Sequence, residues 1–231
     1  MTRLVLATHN RHKVVELRRI LADAGLGDIE VLSADDLPGL PDVAETGTTF
    51  AENALLKAHA VAAATGLPAV ADDSGLCVAV LGGSPGVFSA RWSGRHGDDR
   101  ANLELLLAQI SDVPDDRRVG WFMCAAALAL PDGREHVAEG RLNGTVARTP
   151  RGTNGFGYDP VFVPEGETRT TAELGDGEKD AISHRGRALR ALVPVVRELL
   201  GAGATPPPGV GGSEGGSISE GGRISEGGRV P

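Results

Sequence analysis

The chain predicts a mixed-sheet α/β protein, and three observations carry that expectation. Short apolar runs alternate with helix-period segments through the first half. In the second half, two long strand-like runs flank Pro131-Asp132-Gly133, a strong hairpin signal. The 231 residues are 41% hydrophobic and 23% charged, which is enough to bury one sizeable core or two lobes around a cleft.

The elements follow in order. Arg3 to Ala7 is a candidate first strand. Lys13 to Ala24 reads as a helix with Val14, Leu17, Leu21 and Ala24 on one face, ended by Gly25 to Gly27. Ile29 to Leu32 is a short strand. Thr48 to Thr65 is a second helix, with Thr48 or Thr49 as N-cap and Gly66 closing it. Leu67 to Ala71 reads as a buried strand, Asp72-Asp73-Ser74-Gly75 as the turn leaving it, and Leu76 to Leu81 as another strand. Asp99 to Ile110 is a third helix. Arg118 to Leu130 and Glu135 to Arg148 are the hairpin strands, and Arg185 to Leu200 is a final helix. Residues 201–231 are of a different kind. Three hexads, beginning at Ser213, Ser219 and Ser225, repeat Ser-Glu-Gly-Gly with one isolated apolar residue each. That composition cannot bury enough surface to offset ordering entropy, so the expected domain is residues 1–200 with a disordered tail.

The net charge of −8 argues against a general nucleic-acid or anionic-membrane surface. No apolar stretch is long enough to span a bilayer. Met1-Thr-Arg-Leu-Val-Leu-Ala7 runs straight into the first strand with no signal-peptide pattern. Cys77 and Cys124 lie in apolar runs without metal-ligand spacing and read as reduced buried thiols of a cytoplasmic protein.

Asp72 and Asp73 are the most telling residues. Adjacent like charges repel unless a cation or proton shares the site, so the pair suggests Mg²⁺, water activation or both; the alternative is a solvated acidic turn. Thr8-His9-Asn10-Arg11-His12-Lys13 joins a strand end to a helix N-terminus, where free backbone N–H groups favour phosphate; a capped helix with a surface lysine reads equally well. Lys57 sits in an otherwise apolar helical run, either snorkelling to solvent or directed to a cleft as a point charge for phosphate. Gly152-Thr-Asn-Gly-Phe-Gly-Tyr-Asp-Pro160 holds two of only eight aromatic residues, and Phe156 or Tyr158 can stack on a nucleobase or plug the local core. Lys179 to Gly186 is a basic cluster opening the last helix, suited to an anion, a base edge or a cap. Gly82-Gly83-Ser84-Pro85-Gly86 fits the G-x-S-x-G elbow of serine hydrolases. Pro85 lacks the N–H that the oxyanion hole needs, so the segment reads as a turn.

Six stretches in order resemble the inosine triphosphate pyrophosphatase family. They are Thr8-His9-Asn10 with Lys13, Glu45-Thr-Gly with Phe50-Ala-Glu-Asn53 and Lys57, Ala71-Asp-Asp-Ser-Gly75, Ser89-Ala-Arg-Trp-Ser-Gly94, Gly155-Phe-Gly-Tyr-Asp-Pro160 and Ile182-Ser-His-Arg-Gly186. The chain departs at Ala44, where members often carry a further acidic residue. The resemblance implies an elongated α/β fold, with a long mixed sheet and two lobes flanking a nucleotide cleft. It also implies Mg²⁺ dependence, a homodimer, and hydrolysis of deaminated purine nucleoside triphosphates to monophosphate and pyrophosphate. By position it implies that Thr8, His9, Asn10, Arg11, His12, Lys13 and Lys57 hold the triphosphate. Glu45 and Asp73, with Asp72, would bind metal. Asp73 would be the proton acceptor and Ser74 a substrate contact. Phe156, Gly157, Tyr158, Asp159, Lys179, His184 and Arg185 would hold base and sugar. A pyrophosphatase of the Maf type and a non-catalytic nucleotide-binding module are the rival readings.

Overall fold

In a computed structural model describing residues 2–37 and 39–201, one six-stranded mixed sheet organises the chain. Its strands are β1 (Arg3–Leu6), β2 (Glu30–Ser33), β3 (Ala69–Val78), β4 (Val119–Ala129), β5 (Glu135–Val146) and β6 (Phe162–Pro164). Their order across the sheet is β2-β1-β3-β4-β5-β6. β1 runs parallel to β2 and β3, and every pairing from β3 to β6 is antiparallel. Among the described residues five α-helices surround it: α1 (Arg11–Asp23), α2 (Phe50–Thr65), α3 (Asp99–Gln109), α4 (Asp176–Ile182) and α5 (His184–Leu200). No helix among the described residues is long and apolar enough to cross a membrane. The repeat tail lies outside the described residues.

Most expected elements form, for the expected reasons. The Asn10 carboxamide accepts from the His12 N–H at 2.9 Å and caps α1, which therefore starts two residues earlier than its apolar stripe suggests. Thr49 caps α2 by accepting from the Glu52 N–H, and Gly66 ends it in the left-handed conformation. The hairpin at Pro131-Asp132-Gly133 pairs Ala129 with Glu135. The short β6 and α4 carry too few residues to show a period and were not expected.

One expectation is overturned. The segment around Asp72-Asp73 is not a turn between two strands. It is the middle of the continuous ten-residue β3, paired with β4 from Ala69↔Ala129 to Val78↔Gly120. The long partner strand supplies hydrogen bonds throughout, which outweighs the local turn preference of Asp-Ser-Gly. Gly75 serves close packing instead: a Cβ there would lie 2.4 Å from Ser89 Oγ and 2.5 Å from the Gly86 carbonyl oxygen.

Alternation along β3 divides the core. Val70, with Leu4, Leu6, Ala126 and Leu128, faces α1 and α5. Ala69 and Ala71, with Val5, Ala125, Ala127 and Ala129, face α2. On that face Ala54, Ala58 and Ala62 of α2 meet sheet alanines, so the helix packs close to the strands. A third cluster, including Leu76, Leu106, Phe122 and Phe162, fills the space toward α3 and β6.

Candidate functional site

β1 ends at Leu6, and its last partner on β3 is Val70. Beyond that point the β1-side edge of β3 has no strand neighbour, and the chain leaves β1 through Thr8 into α1. Asp72 and Asp73 emerge at this opening. It is a switch point of the kind where ligands bind in α/β sheets.

Successive strand residues point to opposite faces, so the two carboxylates part. Asp72 faces α1 and α5. Lys13 Nζ donates to both of its oxygens, at 3.0 and 2.9 Å, and Arg185 Nε donates to Oδ2 at 3.1 Å. Burial alone would raise the Asp72 pKa, but Lys13 and then Arg185 outweigh it and hold the carboxyl well below the usual range. Asp73 faces α2. Asn53 Nδ2 donates to its Oδ2 at 3.0 Å, the Ser74 N–H donates to its Oδ1, and Lys57 Nζ lies 3.6 Å from Oδ1. Burial prevails here, and the Asp73 pKa is raised despite Lys57 and Asn53.

Lys57 also donates to Glu45 Oε1 at 2.9 Å. Burial would lower the Lys57 pKa, yet Asp73 and Glu45 raise it. Glu45 is pushed up by burial and, more strongly, down by Lys57 and Arg91. Asn53 was not among the expected site residues. It is fully buried one helical turn before Lys57, its Oδ1 accepting from the Gly47 N–H while its amide reaches Asp73. A buried asparagine on an alanine-rich helix face was the available signal, because such a group must find partners. Arg91, in Ser89-Ala-Arg-Trp, was also missed; its Nη1 lies 3.5 Å from Glu45 Oε2.

The remaining expected residues divide. Thr8, Asn10, Lys13, Glu45, Lys57, Asp72, Asp73, Ser74, Phe156 and Arg185 line one cleft of about 320 Å³. His9 instead pairs with Asp35 on the surface, and Arg11 and His12 sit exposed on the first turn of α1. In the glycine loop, Phe156 is exposed at the cleft, but Tyr158 and Asp159 are buried. Tyr158 donates its hydroxyl to the Ser89 carbonyl at 3.0 Å. Asp159 accepts from the Phe156 N–H, the Thr171 hydroxyl and Lys179. Both therefore shape the loop rather than face the cleft, because the tight turn at Gly155 folds Asp159 back beneath it. A Cβ on Gly155 would lie 2.1 Å from Asp159 Oδ2, and its φ is +77°. The Gly157 N–H donates to Asp99 Oδ2 at 2.8 Å, tying the loop to α3. Lys179 lies 5.4 Å from the Phe156 ring centroid. His184 stacks on Phe122 with centroids 4.9 Å apart, and burial, then Arg185 and Lys179, push its pKa down to about 3.

Among the described residues no three His, Cys, Asp or Glu side chains gather into a metal-binding group. Glu45 and Asp73 nevertheless converge on the single Lys57 ammonium. Two carboxylates at one cationic point suit Mg²⁺, which takes one or two protein carboxylates and completes its shell with water and substrate phosphates. Both Asp72 oxygens are engaged by Lys13 and Arg185.

Known proteins resemble this chain in sequence and fold. Residues 4–195 match the sequence model of the Ham1 family. A Streptomyces avermitilis protein named dITP/XTP pyrophosphatase is 73% identical over 201 residues, covering 87% of this chain and all of that one. The Mycobacterium abscessus nucleoside-triphosphatase, dITP/XTP pyrophosphatase by name, has a solved structure with TM-score 0.72 at 55% identity, covering 85% of this chain and 100% of that one. A HAM1 protein from Coxiella burnetii superposes with TM-score 0.78 at 42% identity, over 86% and 100% of the two chains. Matching motifs, fold and near-complete coverage lead to one assignment: the chain belongs to the Ham1 family.

Proposed function

We propose that the protein is a Mg²⁺-dependent pyrophosphatase that converts deaminated purine nucleoside triphosphates (ITP, dITP and XTP) to the monophosphate and pyrophosphate. The observation that carries this reading is the convergence of Asp73, Lys57 and Glu45 from α2's side with Lys13 and Arg185 from the other, at the opening beyond β1. That relatives are called dITP/XTP pyrophosphatases supports the substrate class.

Lys13, Lys57 and the α1 N-terminus beside Thr8 and Asn10 attract the phosphate chain. Asp73 takes a proton from the attacking water at the α-phosphorus. It is the freer of the two carboxylates, since both oxygens of Asp72 are taken by Lys13 and Arg185, while Asn53 and the Ser74 N–H fix the orientation of Asp73. Glu45 and Asp73 would hold Mg²⁺, which offsets charge on the phosphates when bound. Phe156 presents an exposed ring for base stacking. Donors such as Arg185 or His184 suit a 6-oxo purine, and adenine's 6-amino group would leave them unpaired at about 1–3 kcal/mol per group. Rejection of guanine must act at its 2-amino group.

The net charge of −8 disfavours nucleic acid as a partner, and a homodimer in the cytoplasm is part of the same reading. Light scattering tests the dimer. A substrate panel with pyrophosphate detection tests the chemistry. ITP, dITP and XTP should exceed ATP, GTP, dTTP and UTP by about a hundredfold in kcat/KM, and EDTA should abolish turnover. In ¹⁸O-labelled water the label should enter the monophosphate. Equal rates on GTP, or label in pyrophosphate, would reject the proposal.

A further inference from the structure

The glycine loop that carries Phe156 has little conformational preference of its own. Gly155 and Gly157 flank the ring with φ of +77° and +60°, a region glycine enters and leaves at small cost. Its tip therefore keeps one conformation only where hydrogen bonds fix it. Two successive N–H groups there are each given to a carboxylate. The Phe156 N–H donates to Asp159 Oδ2 at 2.9 Å, within the loop. The Gly157 N–H donates to Asp99 Oδ2 at 2.8 Å, across 58 residues of chain. A charge-assisted bond of this kind is stronger than one between neutral groups.

Asp99 differs from its neighbour Asp98. Asp98 is the N-cap of α3 and accepts from the Ala101 N–H at 3.1 Å. Asp99, the first residue of the helix, sends its carboxylate to the loop instead. Its support is firm. The buried Asn102 accepts from the Ser93 N–H and hydroxyl and donates to the Ala90 carbonyl, and Trp92 Nε1 donates to Gln109 at 2.8 Å. These bonds lock α3 to the segment after β3, and Tyr158 reaches the same segment at Ser89. The Phe156 ring is 59% exposed, so its direction follows its backbone rather than its packing.

Resting on the base site proposed above, we infer that Asp99 is a positioning residue: by holding the Gly157 N–H it fixes the Phe156–Gly157 backbone and sets the ring ready for the base. Asp99 lies outside the lining of the nucleotide cleft and touches no reacting group. It removes an ordering cost that the loop would otherwise meet on binding, so it acts on affinity for the base end and not on the chemical step.

The test uses the full chain and two product probes: IMP, which carries the base, and Mg²⁺-pyrophosphate, which does not. KM and kcat for ITP, inhibition by each probe and the thermal midpoint are measured for the unaltered protein, Asp99→Ala, Asp99→Asn and Asp98→Ala. Asp99→Ala should raise KM and weaken IMP inhibition about tenfold, with kcat and pyrophosphate inhibition within about twofold of normal. Asp99→Asn, whose carboxamide oxygen can still accept from the Gly157 N–H, should recover most of the loss. Asp98→Ala, which removes only the helix cap, should lower the thermal midpoint and leave KM unchanged. Normal KM and normal IMP inhibition in Asp99→Ala overturn the inference. So does pyrophosphate inhibition weakened as much as IMP inhibition, or an equal rise of KM in Asp98→Ala, since either would make Asp99 only a support of α3. No ITP turnover by the unaltered protein would instead remove the parent reading.

Discussion

On the α1 and α5 face of β3, Asp72 is enclosed by Lys13 and Arg185; one residue on, Asp73 turns to α2 and meets Asn53, Ser74 and, at 3.6 Å, Lys57. Asp72 is buried and Asp73 partly so, yet their proton affinities move in opposite directions. The first has two cations in direct contact, and their field exceeds the burial penalty. The second has one neutral amide, one backbone N–H and a more distant ammonium, and burial prevails. A strand's two-residue repeat thus puts one dipeptide into two environments: a carboxylate held ionised between two cations, and one whose proton affinity is raised.

The largest test of this contrast is on Asp72. Asp72→Asn leaves Lys13 and Arg185 facing a neutral group in a mostly buried site. It should destabilise the fold by about 3 kcal/mol, read as a lower denaturation midpoint. Next comes Asp73. Asp73→Asn should lower kcat about a hundredfold or more, while the thermal midpoint stays level or rises, because an unfavourably buried charge has been removed. If Asp73→Asn instead unfolded the protein while Asp72→Asn left it stable and inactive, the roles assigned to the two faces would be reversed.

A smaller effect concerns His184, near the Asp72 face, with Arg185, Lys179, Asp72 and Lys13 around it. Its folded pKa, down to about 3, lies below the ordinary 6.5. The unfolded chain therefore binds a proton that the folded one refuses once pH drops below about 6.5. Stability tied to this group is complete above that pH and declines as pH falls toward 3. Between pH 7 and pH 5 the loss should be about 1–2 kcal/mol. His184→Phe, which can keep the stack on Phe122, should flatten that part of the stability–pH curve. An unchanged slope would show that the ring is protonated in the fold. The smallest effect is expected where neither face of β3 is involved: a chain ending at Leu200 should keep its thermal midpoint and its kcat/KM for ITP, since the Gly-Ser-Glu hexads lack a face to bury. A large loss in either quantity would mean that the repeats dock on the body.

The sequence by itself determined the element types, because apolar periodicity, caps and turn residues are local properties. The Thr49 and Gly66 caps of α2, the Pro131-Asp132-Gly133 hairpin and the amphipathic α1 are where the pattern places them. It also supplied the ordered motifs, and with them most of the cleft's lining. Tertiary structure alone decided what those residues face. Asp72-Asp73-Ser74-Gly75 has turn chemistry, and only the hydrogen bonds of β4 make it a strand and send the two carboxylates to opposite sides. Tyr158 and Asp159 looked like ligand contacts, and only their distant partners, Ser89 for the one and Thr171 and Lys179 for the other, make them supports. Asn53 and Arg91 entered the site for the same reason. A buried polar group is defined by its partners, and here those partners lie from 6 to 46 residues away in the chain. Local rules report the backbone's preferences; the direction of a side chain depends on which strand or helix the fold brings against it.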